Sequence, residues 1–498
     1  MKNVLAKPLA AVSLGVLLLS AACSWSRFDD ATDLPAVAVL HASESTGNVI
    51  DVRGATGQSP VLLSLIPRTS SFYSWQVGDP ETPSDKGATS DYEREKPRLP
   101  DGRIDQGAGA ATLNGGSVAY IGPVDSAAAG GSTGECWVHG FRARPHYDHD
   151  STGFAVTCLL SNNNARESVV SNIHPDLNNS PARGEAGAAF DAQHLNDAVW
   201  RTVQGAAVGS PDDKFLFPNL ASFASWSGGH FAVGTPDIDR AFVYVHGSPG
   251  SPFDTPAEAW GSEAPIALEP GADGAATRSF GAAIATIPAA PGAPGSIGIA
   301  IAEPVSGKIF LYDIDTTTRA SKRRGCISGE ALSGIVLHGY ADNGKRLIAA
   351  SNAAGKVALY DFDAVTSEAC AAAPPLATLS CSDSADVTGC SDGAFGFSLT
   401  HGDLDGDGDQ ELLVGAPGMN AREKVNAGAV YVYDLESFSP IASDVLFLGN
   451  PKNGSLLGTS VTTMRSGNRD VPVASAPGSR DVMVFYCGSL SKASPRCQ

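Results

Sequence analysis

Residues 393–433 read GAFGFSLTHGDLDGDGDQELLVGAPGMNAREKVNAGAVYVY, and their pattern decides the fold. Residues 397–399 predict a short strand, and residues 401–409 a loop built from Gly and Asp. Residues 411–414 predict a second strand with an apolar body, which Gly415-Ala416-Pro417 stops. Residues 428–433 alternate small and aromatic side chains, the period-two pattern of a further strand. A unit of this kind has two apolar faces and buries them by stacking on neighbours, so copies of it should exist elsewhere in the chain.

Weaker copies keep the same order of parts. Residues 457–461 lead to 471–477 and then to 482–486. Residues 334–360 read GIVLHGYADNGKRLIAASNAAGKVALY, in which His338-Gly339 echoes His401-Gly402. Phe280-Gly281 leads to 299–301, Pro304 and 308–312, and FAVGTP at 231–236 precedes 240–245. Residues 207–211 and 120–123 look like two more strand ends. The stops are then Pro123, Pro211, Pro236, Pro304, Asn352, Pro417 and Pro477. The last four intervals run from 48 to 68 residues, which suits a four-stranded propeller blade with its loops. The interval of 25 residues before Pro236 is too short and the 88 before Pro211 too long, so one of these signals is misplaced. The expected fold is all-β, a β-propeller of seven blades, with six and eight left open. Residues 37–40 and 49–52 are expected to close the ring against the last blade, and the polar run 70–109 is expected to be a long loop.

Composition fits this architecture. The chain has 498 residues, of which 55 are Gly, 32 Pro and 43% hydrophobic, while only 17% are charged. That is a strand-and-turn composition with ample apolar material. A chain this long normally splits into domains unless radial repetition spreads the core around a ring. The net charge of −19 disfavours nucleic acid or an anionic membrane surface as partner.

Lys2 and Lys7 precede an apolar run at 10–19 and then Ser20-Ala21-Ala22-Cys23. About ten apolar residues are too few to span a bilayer and suit a secretory leader. Setting Cys23 aside leaves Cys136, Cys158, Cys326, Cys370, Cys381, Cys390, Cys487 and Cys497, an even set that fits an oxidising compartment. Eight cysteines allow 105 pairings; we take sequence neighbours as partners, namely 136–158, 326–370, 381–390 and 487–497. No CxxC spacing supports a structural zinc site.

Asp403, Asp405, Asp407, Asp409 and Glu411 occupy alternate positions of the Gly-containing loop. Carboxylates packed this closely repel one another unless a cation sits among them, and hard oxygen ligands on a pliable loop favour Ca²⁺. An EF-hand fails, because its twelfth position counted from Asp403 is Val414, inside the apolar strand. A dockerin loop fails for want of a following helix. The counterpart loop at 340–346 carries Lys345 and Arg346, and that at 465–470 carries Arg465 and Arg469; these cations could hold each loop in place of a metal. The run 146–150 (HYDHD) matches no defensible ligand pattern, and Lys322-Arg323-Arg324 is expected on an exposed loop. There is no GxSxG elbow, no P-loop and no dinucleotide fingerprint.

Residues 393–434 resemble the FG-GAP repeat of integrin α-chain β-propellers, with Phe395-Gly396 as the FG and Gly415-Ala416-Pro417 as the GAP. The resemblance implies one calcium site of structural type. The side chains of Asp403, Asp405 and Asp407 would ligate, residue 409 would ligate through its carbonyl, and Glu411 would close the site where the family usually has Asp. The segment before Cys23 resembles a bacterial lipobox, with Ser20 where that family prefers Leu. It implies a leader at 1–22, lipidation of Cys23, a flexible tether at 23–35 and a propeller over 36–498. Ser24 after the Cys favours the outer membrane. Together these imply a calcium-binding lipoprotein of the bacterial envelope that is not an enzyme and acts in binding or adhesion toward protein or glycan. The alternatives are a hydrolase or lyase working at the central channel, with His146, His149 or His230 as candidate groups, and a scaffold subunit of an envelope complex.

Overall fold

The computed structural model describes residues 37–41, 49–51, 61–66, 71–76, 88–90, 118–126, 132–143, 151–162 and 165–172. It also describes residues 222–485 apart from 227–228, 237–238, 246–265, 271–278, 291, 294, 330–335, 343, 353, 382, 385, 391–392, 405, 435–444, 450 and 467–468. The leader, Cys23, the tether, the 146–150 cluster, Asp405, Cys487 and Cys497 lie outside the described residues.

The fold is all-β. Among the described residues the regular structure is strand, apart from 3-10 turns at Pro304–Ser306 and at Pro236. Strand β1 (Val37–His41) comes first. Sheet one is β2 (Val49–Asp51), β3 (Val61–Ile66), β4 (Ser71–Gln76) and β5 (Ala88–Ser90). Sheet two is β6 (Val118–Ser126), β7 (Ser132–Ala143), β8 (Ser151–Asn162) and β9 (Ala165–Asn172). Sheet three is β10 (Ser222–Trp226), β11 (His230–Thr235), β12 (Arg240–Tyr244) and β13 (Ile266–Leu268). Sheet four is β14 (Ala283–Ile287), β15 (Ser296–Glu303), β16 (Lys308–Asp315) and β17 (Ala320–Ser328).

Sheet five begins with β18 (Leu337–Asp342), β19 (Lys345–Asn352) and β20 (Lys356–Asp361). The chain then gives β21 (Ala371–Ala372) back to sheet four, parallel to β17, before β22 (Ala377–Ser380) completes sheet five. Sheet six is β24 (Ser398–Gly402), β25 (Glu411–Ala416), β27 (Ala429–Tyr433) and β28 (Val445–Phe447). Its flanks β23 (Val387–Thr388) and β26 (Asn420–Ala421) pair apart as a two-stranded ribbon. Sheet seven is β29 (Ser460–Ser466), β30 (Arg469–Ala476) and β31 (Asp481–Phe485), and its fourth strand is β1.

The first strands of successive sheets lie side by side. β2 is beside β6, β6 beside β10, and so on through β14, β18, β24 and β29, and β29 is beside β2. β1 pairs antiparallel with β31 from Val37 opposite Phe485 to His41 opposite Asp481, so the first described strand completes the last sheet. The expectation for 49–52 was different: β2 opens sheet one instead, pairing with β3. The run 70–109 is also not all loop, because it supplies β4 and β5.

The positions of the stops explain the uneven spacing read from the sequence. Pro67, Pro236, Pro304, Pro417 and Pro477 each follow directly on the second strand of a sheet, and Pro145 comes two residues after β7. Proline cannot donate to the ladder, so it ends the strand there. Pro123 was misread: it lies inside β6.

Apolar clusters sit between neighbouring sheets. Ile301, Phe310 and Val243 pack between sheets three and four, Ile348 and Leu311 between four and five, Leu359, Phe395 and Val414 between five and six, and Leu413, Val461 and Phe485 between six and seven. The motif glycines set the spacing of these joints. Gly396 has φ +87, and a Cβ on it would meet Ser351 Cβ of sheet five at 2.7 Å. A Cβ on Gly415 would stand 2.1 Å from the carbonyl oxygen of Gly458 in the approach to sheet seven. The same joint recurs between sheets three and four, where Gly234 abuts the Gly281 carbonyl oxygen. In both joints a serine from the first strand donates to that carbonyl: Ser398 Oγ to Gly458 at 2.7 Å, and Ser222 Oγ to Gly281 at 3.0 Å.

Two disulfides lie among the described residues, Cys326–Cys370 and Cys381–Cys390. Cys136 stands directly opposite Cys158 in the β7–β8 register.

Candidate functional site

The acidic loop joins β24 to β25. It is anchored by two nearly buried carboxylates at its base, Asp403 (6% exposed) and Glu411 (7%). Both act as local caps. Asp403 Oδ1 accepts from Gly406 N at 2.7 Å, and Glu411 Oε2 accepts from Leu404 N at 2.8 Å. Asp407 Oδ1 accepts from Asp409 N at 2.9 Å. Gly406 and Gly408, at φ +84 and +99, supply the left-handed turns that fold the loop back on itself.

The neighbouring sheets hold the loop at both ends. Asp470 of sheet seven accepts from Asp403 N at 3.0 Å and donates its own N–H to the Asp403 carbonyl. Asp342 of sheet five, itself buried, accepts from Gln410 N at 3.1 Å. Carboxylates of the two neighbouring sheets thus bond the backbone at each end of the loop. Sequence reading missed Asp342 and Asp470 as members of this cluster, because their loops were judged by their cations. The remaining oxygen chemistry is that of a hard cation, which fits the donor types Ca²⁺ takes. Among the described residues, however, no three His, Cys, Asp or Glu side chains converge on a common point; Asp405 is outside that set.

The counterpart loops are held by ion pairs within the protein. In sheet five Lys345 Nζ lies 3.0 Å from Asp361, and Arg346 pairs with Asp363 while stacking over the Phe362 ring at 4.6 Å. Arg346 holds the Asp363 carboxyl below the usual range, chiefly through its hydrogen bond. In sheet seven Arg465 reaches Asp470 at 3.3 Å. The basic run Lys322-Arg323-Arg324 proves to be part of β17 and not a loop, with Lys322 exposed and the two arginines half-buried. Arg324 bonds Asp313 and lies over Phe362, while Arg323 lies over Phe310 and donates to the carbonyls of Pro270 and Glu368.

Residues 395–433 match the FG-GAP repeat. The chain carries an FG-GAP repeat, as integrin α-chain β-propellers do. The match starts at the phenylalanine of the FG and ends on the last residue of β27. No curated protein matches the chain. The repeat's aromatic signature has a packing role here: Phe395 meets the edges of Tyr431 and Tyr433, with ring centroids 5.3 and 6.1 Å apart. Burial pushes the Tyr431 hydroxyl up to about 12.

A cavity of about 260 Å³ lies where the first strands meet. Its wall includes Ala119, Ser222, Ala283, His338, Ser398 and Ser460, one from each of six first strands. All of these but His338 are small side chains, which lets the strands crowd together. Of the histidines named for channel chemistry, His230 stacks on Trp226 across the β10–β11 hairpin at 5.3 Å; the other two lie outside the described residues.

Proposed function

We propose that this protein is a seven-bladed, closed propeller that works as a non-enzymatic binding or adhesion module, held on a bacterial outer membrane by lipid on Cys23. The observation that carries the architecture is the side-by-side order of seven first strands together with the pairing of β1 on β31. Such a ring presents wide loop surfaces at its two ends, and these suit a protein or glycan ligand better than a small substrate. The fold alone does not name the ligand. The lipid would follow from the apolar run at 10–19 and the Ser20-Ala21-Ala22-Cys23 sequence.

In this reading one Ca²⁺ orders the sheet-six loop. Asp403, Asp405, Asp407, the residue 409 carbonyl and Glu411 would hold it, and the ion would neutralise the carboxylates that Asp342 and Asp470 bring close. Its role would be structural, fixing the loop that touches sheets five and seven.

The test uses the mature protein purified from envelopes and a soluble form lacking the leader and Cys23. Intact mass of the first should show a diacylglycerol adduct and loss of 22 residues, and Cys23→Ala should release the protein from membranes. The soluble form should retain defined glycans or envelope proteins in calcium and lose them in chelator. A Cys23 engaged in a disulfide would reject the anchor. Turnover of a glycan or ester substrate at the channel, with no stable binding, would reject the binding role in favour of the enzyme alternative.

A further inference from the structure

We propose that His338 and His401 form a site for a borderline divalent transition cation, such as Zn²⁺, at the wall of the central cavity. The site differs from the acidic loop in chemistry, with imidazole nitrogens in place of carboxylates, although His401 stands on β24 only two residues before Asp403. His338 lies on the first strand of sheet five and His401 on the first strand of sheet six. His338 Nε2 and His401 Nδ1 approach to 2.7 Å, so the ring nitrogens of two neighbouring sheets converge on one point.

The sequence echo His338-Gly339 and His401-Gly402 suggests equivalent positions, but the strands place them differently. His338 shares a strand face with Tyr340 and His401 shares one with Leu399, and both of these pack into the core between sheets five and six. The two imidazoles therefore point toward each other across the joint instead of lying in parallel around the ring. Gly339 leaves room for the Thr286 carbonyl of sheet four, and Gly402 for the Thr463 side chain of sheet seven. Each glycine lets its strand fit between two neighbours and so fixes the imidazoles in register.

The chemistry suits a nitrogen-seeking ion. Imidazole must be neutral to ligate, and both rings are withdrawn from bulk water at the joint between the two sheets. In the 2.7 Å bond one of the two nitrogens carries the proton, and for both to ligate that proton must move to the other nitrogen of the same ring, leaving each imidazole neutral. A tetrahedral ion with Zn–N bonds of about 2.0–2.1 Å would need them roughly 3.3 Å apart, a side-chain shift of about half an ångström. Because His338 lines the cavity, water can reach the remaining coordination positions. Tyr340 stacks against both rings, at centroid distances of 6.0 and 5.3 Å, and its buried hydroxyl has no hydrogen-bond partner. Two protein nitrogens and water make an exchangeable site rather than a permanent structural one.

The experiment titrates untagged, calcium-saturated full-length protein with ZnCl₂ by calorimetry, and with CoCl₂ by visible absorption. The expected result is one equivalent bound at micromolar Zn²⁺, a weakening of at least tenfold in His338→Ala, and unchanged binding in Asp407→Ala. Should His338→Ala fail to fold, the imidazole resonances of the wild-type protein answer the question, since Zn²⁺ should shift two histidines together. Absence of binding below millimolar Zn²⁺ overturns the proposal. So does binding that is unaffected by His338→Ala but lost in Asp407→Ala, or a titration that shifts other histidines instead.

Discussion

The first hairpins of sheets five and six start from one plan and solve the same problem in different ways. In sheet five the turn between β18 and β19 is short, and the charges around it are matched inside the protein by Lys345–Asp361 and Arg346–Asp363. In sheet six the turn between β24 and β25 is longer, and Asp403, Asp407, Asp409 and Glu411 surround it without any lysine or arginine of its own. A side-chain cation comes with the fold, whereas a metal ion must be taken from solution. Sheet five should therefore be indifferent to its ionic surroundings and sheet six dependent on them. The two loops also touch, through Asp342 and Gln410 N, so disorder in one reaches the other.

The largest effect should come from breaking the sheet-five side. Phe362 is fully buried, and both Arg324 and Arg346 lie over its ring. Phe362→Ala removes the apolar plate under these cations and should destabilise the protein by about 3–5 kcal/mol in denaturant unfolding. The loss should be the same with and without calcium.

Calcium removal breaks the other side. Linkage gives about 2.7 kcal/mol of stabilisation at a hundredfold excess of ligand over Kd. Chelator should lower the melting temperature, and Asp405→Ala should melt alike in chelator and in calcium. Mg²⁺ should substitute poorly, since it demands a tighter octahedral shell.

Arg346→Ala sharpens the comparison. It deletes a buried guanidinium, and with it the charge-assisted bonds to Asp363, for a cost of about 2 kcal/mol. If sheet five is held by its own cations, added calcium should not restore that loss. Lys345→Ala should matter least. The Lys345–Asp361 pair is partly exposed, and such pairs contribute roughly 0–1 kcal/mol.

Much of this was legible in the sequence. The strand pattern of 393–433 became β24, β25 and β27 because period-two apolar runs between Gly and Pro stops leave few alternatives. The pairings Cys326–Cys370 and Cys381–Cys390 followed from nearness in the chain. What stayed hidden was long-range. The His338–His401 contact spans 63 residues and depends on which faces of two strands meet, so the repeated His-Gly spelling pointed to the residues but not to their encounter. Asp342 and Asp470 reach the acidic loop from neighbouring sheets, and no local pattern announces that. Lys322-Arg323-Arg324 looked like surface because charge is usually solvated; Lys322 is exposed, but an aromatic ring and backbone carbonyls supply partners for Arg323.

The most direct test of the central claim is a calorimetric titration of the chelator-stripped full chain with CaCl₂. The account predicts one equivalent bound, with the heat abolished in Asp405→Ala and in Asp407→Ala and retained in Arg346→Ala. No heat up to millimolar calcium, or binding that survives both aspartate substitutions, would contradict it and leave the sheet-six loop as an acidic turn held only by Asp342 and Asp470.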